Sequence, residues 1–312
     1  MILLDHGHYM LREVIANRIG PANEEERKKN PIGSMIIADF DDVSYRVKSE
    51  GDALTIFYTM PGYKEISALG LEEYLKRAYA QDNIAFSFRE ELVDGVSYNF
   101  SLTVDLAADC GDGGAGLAER VSCLKRNVLA APFHWYFGQI QAGTAPAQAV
   151  RVPFRRDESI YIKKGNEDQC VVIFSVTFQE KNDWVVAEVF LRELADARRD
   201  QALQQAPAAS FSRAPPGELT GVPGVEGGDS VCFVSFTLFQ RHWGGDRAEA
   251  CVSAVCQFRN YLHYHIKASK TFMHMRMRKR VDDLLHVLNR AKPPAEGAVE
   301  KKTWSGKSVS AR

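Results

Sequence analysis

From Asp246 to Ala291 the chain contains neither proline nor glycine. An uninterrupted helix of about 46 residues would be a rod of roughly 69 Å, longer than one small domain. Along it Val252, Val255, Phe258, Leu262, Ile266, Met273, Met277, Val281, Leu284 and Leu288 follow one another at intervals of three, four or seven. That spacing lines them up as an apolar seam. The chain's own sheet can cover such a seam only in part, so the remainder is expected to bury itself against a partner. Lys292-Pro293-Pro294 ends the helix, since proline lacks the donor and clashes with the preceding turn. Residues 292–312 are expected to form a mobile tail.

The same helix carries the strongest local charge. Lys267, Lys270, Arg276, Arg278, Lys279 and Arg280 fall in a stretch without an acid. The whole chain has a formal net charge of -1, so attraction to an acidic surface has to come from such a patch. A solvated helix face is the plain alternative. Nucleic acid fits poorly, because Phe272, Met273, Met275 and Met277 interleave with the cations as packing residues and no recognition module such as the RRM signature is present. The six cysteines are too sparse in 312 residues for a disulfide framework. Neither a signal segment nor a run of eighteen apolar residues occurs, so a soluble cytosolic protein is expected.

With 45% hydrophobic residues the chain has enough apolar material for a core, and its length suggests two domains. Ile2 to Ile19 reads as a helix stopped by Gly20-Pro21. Met35 to Phe40, Val43 to Lys48 and Leu54 to Met60 read as an antiparallel meander, and Lys64 to Ala80 as a helix. Ala85 to Phe88 and Ser97 to Leu106 read as strands flanking a turn at Asp94-Gly95. After Gly116 a helix is expected over about 117–137. Strands follow at Val150 to Phe154, Ser159 to Lys163, Cys170 to Phe178 and Val185 to Leu194. Asp196 to Gly228 reads as a loop and Val231 to Phe239 as a returning strand. Placing Tyr45 over Tyr161, an offset of 116, also pairs Asp41 with Asp157, Leu54 with Cys170 and Ile56 with Val172, which suggests a faint internal duplication. The expected class is α+β: two tandem similar domains, 1–125 and 126–291, each an antiparallel sheet with flanking helices, the second ending in the long helix.

Chemical motifs are weak. Gly111 to Gly116 fits G-x-G-x-x-G, but the first glycine lies five residues beyond Leu106 and no acid stands about 20 residues on, as a dinucleotide site requires. His263 and His265 are two apart, a spacing that points them to different sides of a helix and makes a poor zinc pair with Cys256 or His274. Cys251 and Cys256, five apart, chelate no better. Nothing resembles G-x-S-x-G, His-Glu-x-x-His or a P-loop. The expectation is a non-enzyme without metal, cofactor or small-molecule substrate.

Phe258-Arg259-Asn260-Tyr261-Leu262-His263-Tyr264-His265-Ile266-Lys267, continued by Ser269-Lys270, His274, Arg276-Met277-Arg278 and Val287-Leu288-Asn289-Arg290-Ala291, resembles the C-terminal helix of the 34-kDa subunit, subunit 2, of the actin-related protein 2/3 complex. Met1-Ile2-Leu3-Leu4, Ala38-Asp39-Phe40-Asp41, Leu75-Lys76-Arg77, Leu124-Lys125-Arg126-Asn127, Asp157-Glu158, Arg198-Arg199 and Leu238-Phe239 with Arg241-His242 resemble further family landmarks in the same order. The resemblance implies two tandem α+β domains and a long helix paired with the 20-kDa subunit, within a complex that nucleates branched actin filaments. It also implies contact with the side of the mother filament, for which Arg198, Arg199, Lys267, Lys270, Arg276, Arg278 and Lys279 are the candidates. No catalysis is implied. The chain departs from the family pattern in the loops Glu24 to Lys29 and Gly111 to Gly116, in the alanine-rich Asp196 to Ala214, and at Gln240, where proline is usual. A basic-helix adaptor for nucleic acid or membrane, working outside any such complex, is the alternative.

Overall fold

The computed structural model describes residues 4–20, 23–80, 84–107, 114–166, 168–291, 301–302 and 308–309. Residues up to Leu262 form one compact body and those from His263 a second. The first body holds two five-stranded antiparallel sheets. β1 (Met35–Ala38), β2 (Ser44–Glu50), β3 (Ala53–Thr59), β7 (Phe100–Asp105) and β4 (Ile84–Ser87) make the first, in that spatial order. β8 (Val150–Arg155), β9 (Glu158–Lys164), β10 (Cys170–Thr177), β12 (Val231–Leu238) and β11 (Ala208–Ser212) make the second. Each is a three-stranded meander, a helical excursion, then two strands of which the later one returns beside the meander. The duplication suggested by sequence is therefore one of topology.

The suggested register slips by one residue. Tyr45 lies opposite Tyr58 on β3, whereas Phe174, the counterpart of Tyr58 at offset 116, lies opposite Ile160. Ile160 is thus the counterpart of Tyr45, and Tyr161 belongs to the other face. A shift of one residue exchanges the faces of a strand. Tyr45 is buried against Tyr58 and His8. Tyr161 instead joins a cluster with Val171, Ile173, Phe233 and Leu219, the last contributed by the segment that precedes β12. Leu54 with Cys170 and Ile56 with Val172 do match: all four side chains are buried at equivalent positions of β3 and β10.

Other expectations change in detail. Val185 to Leu194 is not a strand but part of α7 (Lys181–Asp196). Its buried residues Asp183, Ala187 and Leu191 recur every four, the period of a helix face; the density of Val and Phe hid that period. The expected loop 196–228 contains β11, whose Phe211 sits 6.3 Å, ring to ring, from Trp184 of α7. The helix expected over 64–80 is broken into α3 (Tyr63–Ser67) and α4 (Leu71–Ala78) at Gly70, which takes φ 74°. The one expected over 117–137 is two helices, α5 (Ala115–Ser122) and α6 (Leu124–Gln141). The first helix is shorter than expected, α1 (Tyr9–Ala16), and the segment Glu24 to Lys29, expected as a loop, is a short helix, α2 (Glu24–Lys29). Asp94 and Gly95 do make a tight turn, with φ 50° and 80°, but between β5 (Glu91–Val93) and β6 (Val96–Tyr98), a hairpin laid over the outer face of the first sheet. Arg46 fixes it by donating to the Tyr98 hydroxyl at 2.9 Å and pairing with Asp94.

The two sheets meet through specific contacts. Gly62, at φ 70° and preceding α3, comes so close to Pro153 of β8 that a β-carbon would stand 2.5 Å from its carbonyl oxygen, so only glycine fits. Gly111 to Gly113 of the glycine-rich motif lie outside the described residues. Gly114 takes φ 82° just before α5, with the Ile19 side chain filling the place of a β-carbon. The tail 292–312 is described only at Lys301–Lys302 and Ser308–Val309, which pair as short antiparallel strands β13 and β14.

Leu262 is fully buried in the first body. Leu262→Asp places an unpaired carboxylate there, and is expected to lower stability by about 4 kcal/mol or more. Urea unfolding of the full chain checks this through a shift in midpoint at unchanged slope.

Candidate protein interface on the long helix

The long run forms α9 (Arg247–Arg290), preceded by α8 (Gln240–Trp243). Its seam divides into two halves. Val252, Val255, Phe258, Leu262 and Ile266 are buried, with Ile266 only 2% exposed. Met273, Met277, Val281, Leu284 and Leu288 are exposed, Met277 by 65% and Leu284 by 58%. One periodicity, continuous in sequence, therefore serves two environments. At about 1.5–3 kcal/mol for each large apolar side chain withdrawn from water, the uncovered half leaves a substantial driving force unused.

Aromatic packing and charge hold the buried half. Phe258 packs with its ring centre 5.0 Å from Phe174 and 4.7 Å from Phe236, on the second sheet. Arg259 donates twice to Glu158 at 2.7 and 2.8 Å, both side chains almost wholly buried. Glu158 also accepts from the Thr177 amide at 2.9 Å. The bidentate geometry and the added backbone donor offset the desolvation of both ions. Next to it, Arg155 pairs with Asp41 and donates to Asn260 at 3.1 Å, while Lys125 reaches Asp41 at 2.8 Å. Asp41, from the loop between β1 and β2, thus joins the first sheet to the hairpin β8–β9 and to α6. Asp157, its counterpart at offset 116, is exposed.

A second charged cluster fixes the start of α9. Arg126 of α6 donates to Glu249 at 2.6 Å, to the Glu249 carbonyl at 2.9 Å and to Ser253. His134 lies 3.0 Å from the same carboxylate and stacks on Tyr74 at 4.9 Å. The hydrogen bond with His134, then those with Arg126, hold the Glu249 carboxyl down at about 2. Arg126, Glu158 and Arg259 escaped the sequence reading as partners. All three stand inside landmarks quoted above, but nothing in a single chain shows that residues 101 or more positions apart meet.

The cations do not share one face. At about 100° per residue, Arg276 and Lys279 lie on one side of the helix, Lys267 and Arg278 on another, while Lys270 falls in the line of the seam and Arg280 beside it. All but the half-buried Lys270 are exposed. Arg198 and Arg199 lie far away in sequence, in a 3-10 turn after α7. Arg199 is exposed and 3.1 Å from Asp196, and Arg198 is half-buried and donates to the Gln204 carbonyl at 3.2 Å. Chemistry of the other kinds finds little support. Burial pushes the thiols of Cys232 and Cys256 up to about 12 and that of Cys251 to about 11, so they stay protonated and weakly nucleophilic. Among the described residues no group of three or more His, Cys, Asp or Glu could hold a metal ion, and no helix is long and apolar enough to cross a membrane.

Fold and site together fit an assembly subunit: a pair of sheets, the second of which packs on the first half of a long helix, whose other half offers uncovered apolar side chains. The comparisons with known proteins agree. The family model described as the Arp2/3 complex 34 kD subunit, p34-Arc, matches residues 56–295. Actin-related protein 2/3 complex subunit 2 of Schizosaccharomyces pombe is 36% identical over 331 residues, covering 99% of each chain. The protein of that name from Dictyostelium discoideum is 33% identical over 312 residues, covering 98% of each. The chain belongs to the family of the 34-kDa subunit of the Arp2/3 complex. Its place is in that actin-nucleating complex as a structural subunit, not an enzyme.

Glu249 has its carboxyl pKa lowered, so its contribution is present above the unfolded value near 4.5 and lost as pH falls from there towards 2. The stability difference between wild type and Glu249→Gln should be largest at neutral pH and shrink between pH 4.5 and 2. Denaturant unfolding of both proteins across that range measures it.

Proposed function

We propose that the chain is the structural core and filament-side subunit of its complex, in the cytoplasmic actin cytoskeleton. In this reading the distal half of α9 lies along a helix of the 20-kDa subunit, and the two sheets help hold the remaining subunits. The observation that carries the reading is the division of the seam, with five exposed apolar residues at helical spacing beyond Ile266. An exposed strip of this kind is what a helix-to-helix interface requires, and a solvated helix does not repeat Met, Val and Leu at that period. The proposed division of the chain remains 1–125, 126–291 and a tail of 292–312. The seam residues Val252, Val255, Phe258, Leu262 and Ile266 are buried within this chain and so are not available to the partner.

Filament contact is the second part of the proposal. Arg198 and Arg199 stand where the family resemblance places such a contact, and Lys267, Lys270, Arg276, Arg278 and Lys279 add positive charge suited to the acidic surface of actin. A single exposed ion pair contributes about 0–1 kcal/mol, so these residues act together and mainly on encounter rate.

One reconstitution separates the two parts. The complex is assembled with Met277→Asp plus Leu284→Asp, or with Arg198→Ala plus Arg199→Ala, then followed by gel filtration and by branching from preformed filaments. The seam variant should fold but fail to retain the 20-kDa subunit. The arginine variant should assemble and branch less, with the deficit shrinking as salt rises and screens the wild-type contact. Full assembly by the seam variant would refute the helix pairing, and normal branching by the arginine variant at physiological salt would refute that filament contact.

A further inference from the structure

The distal half of α9 carries apolar side chains that the seam does not include. Phe272, Met275, Arg276 and Lys279 stand at i, i+3, i+4 and i+7. At about 100° per residue they form one strip, whose mean direction lies roughly 150° around the helix from that of the seam. Phe272 is 55% exposed and Met275 58%. A partner helix lying on Met273, Met277, Val281, Leu284 and Leu288 leaves that strip uncovered, because one helix covers only one side of another. Apolar residues on opposite sides of a helix indicate that both sides are dried, which takes two partners.

We infer that this strip binds the acidic side of the actin filament, with Phe272 and Met275 as the affinity-bearing contacts and Arg276 and Lys279 as the steering charges. The inference rests on the filament-contact reading above and adds which side chains carry the affinity. Charge selects this occupant. No acid occurs between Lys267 and Arg280, so the strip presents a positive field, and an acidic surface with an apolar recess is its complement. The Arg276 guanidinium lies 5.4 Å from the centre of the Phe272 ring. That cation–π contact holds the charge beside the apolar anchor instead of letting it range through solvent. Interfaces draw most of their affinity from a few large side chains that become fully dry, while rim charges govern encounter and salt response. Reading the cations alone as the contact therefore mistakes the steering for the grip.

The test uses the reconstituted complex in filament co-sedimentation over a range of salt. Phe272→Ala plus Met275→Ala, on an exposed helix surface where alanine favours the helix, should weaken binding about tenfold or more at every salt concentration, with the salt dependence preserved. Arg276→Ala plus Lys279→Ala should weaken binding less at physiological salt and flatten the salt dependence. If the apolar pair is silent and the cation pair is not, the inference is overturned while the filament reading stands. If both pairs are silent, this helix does not touch the filament. Loss of a subunit from the apolar variant would make the strip an assembly face, and transfer of its sensitivity to phosphatidylserine vesicles would make it a membrane face; either result overturns the inference.

Discussion

The structure depends on how one apolar seam is shared. Up to Ile266 the seam side chains of α9 are withdrawn from water, and from Met273 onward they are not. The period that generates the seam is the same in both halves, so the difference lies in what surrounds the helix. Around the buried half stand Phe174 and Phe236 from the second sheet and the Glu158–Arg259 pair. Arg126 and His134 secure its first turn through Glu249. Because a buried ion pair is costly to break once one partner is lost, Glu158 and Arg259 fix the helix in one rotational setting.

The duplicated sheet supplies the other constraint. Both sheets run through the same strand order, and Asp41, Arg155 and Lys125 connect the loop of one to the hairpin of the other. The outer faces have diverged. On the first sheet Arg46 and Phe57 lie under the hairpin β5–β6, and on the second Tyr161 and Ile173 lie under the segment bearing Leu219 and Val222. The one-residue slip between Tyr45 and Tyr161 belongs with this divergence, since it places an aromatic residue inside one sheet and outside the other.

Much of this was legible from sequence, for reasons that can be named. The long helix announced itself by the absence of proline and glycine, and the meanders by short β-branched runs between acidic or glycine turns. The strand β11 was not legible, because Ala208 to Ser212 is apolar mainly through alanine and becomes a strand only by pairing with β12. Neither was the helical nature of Val185 to Leu194, where β-branched residues face solvent at Val185 and Val189 and the period of four is carried by Asp183, Ala187 and Leu191. The period of the seam was legible along α9, but not the point at which cover stops. Burial depends on what surrounds a helix, which periodicity does not encode. The cation run was also legible as charge, though only the helix geometry separates its members into three directions.

In the proposed assembly α9 is covered by its own chain in its first half and by another protein in its second. Hydrogen exchange of the α9 amides measures this directly, comparing the isolated full chain with the assembled complex. Strong protection of 252–266 is expected in both samples, and of 271–288 only in the complex. Equal protection of 271–288 in the two samples, or its absence from both, would contradict it.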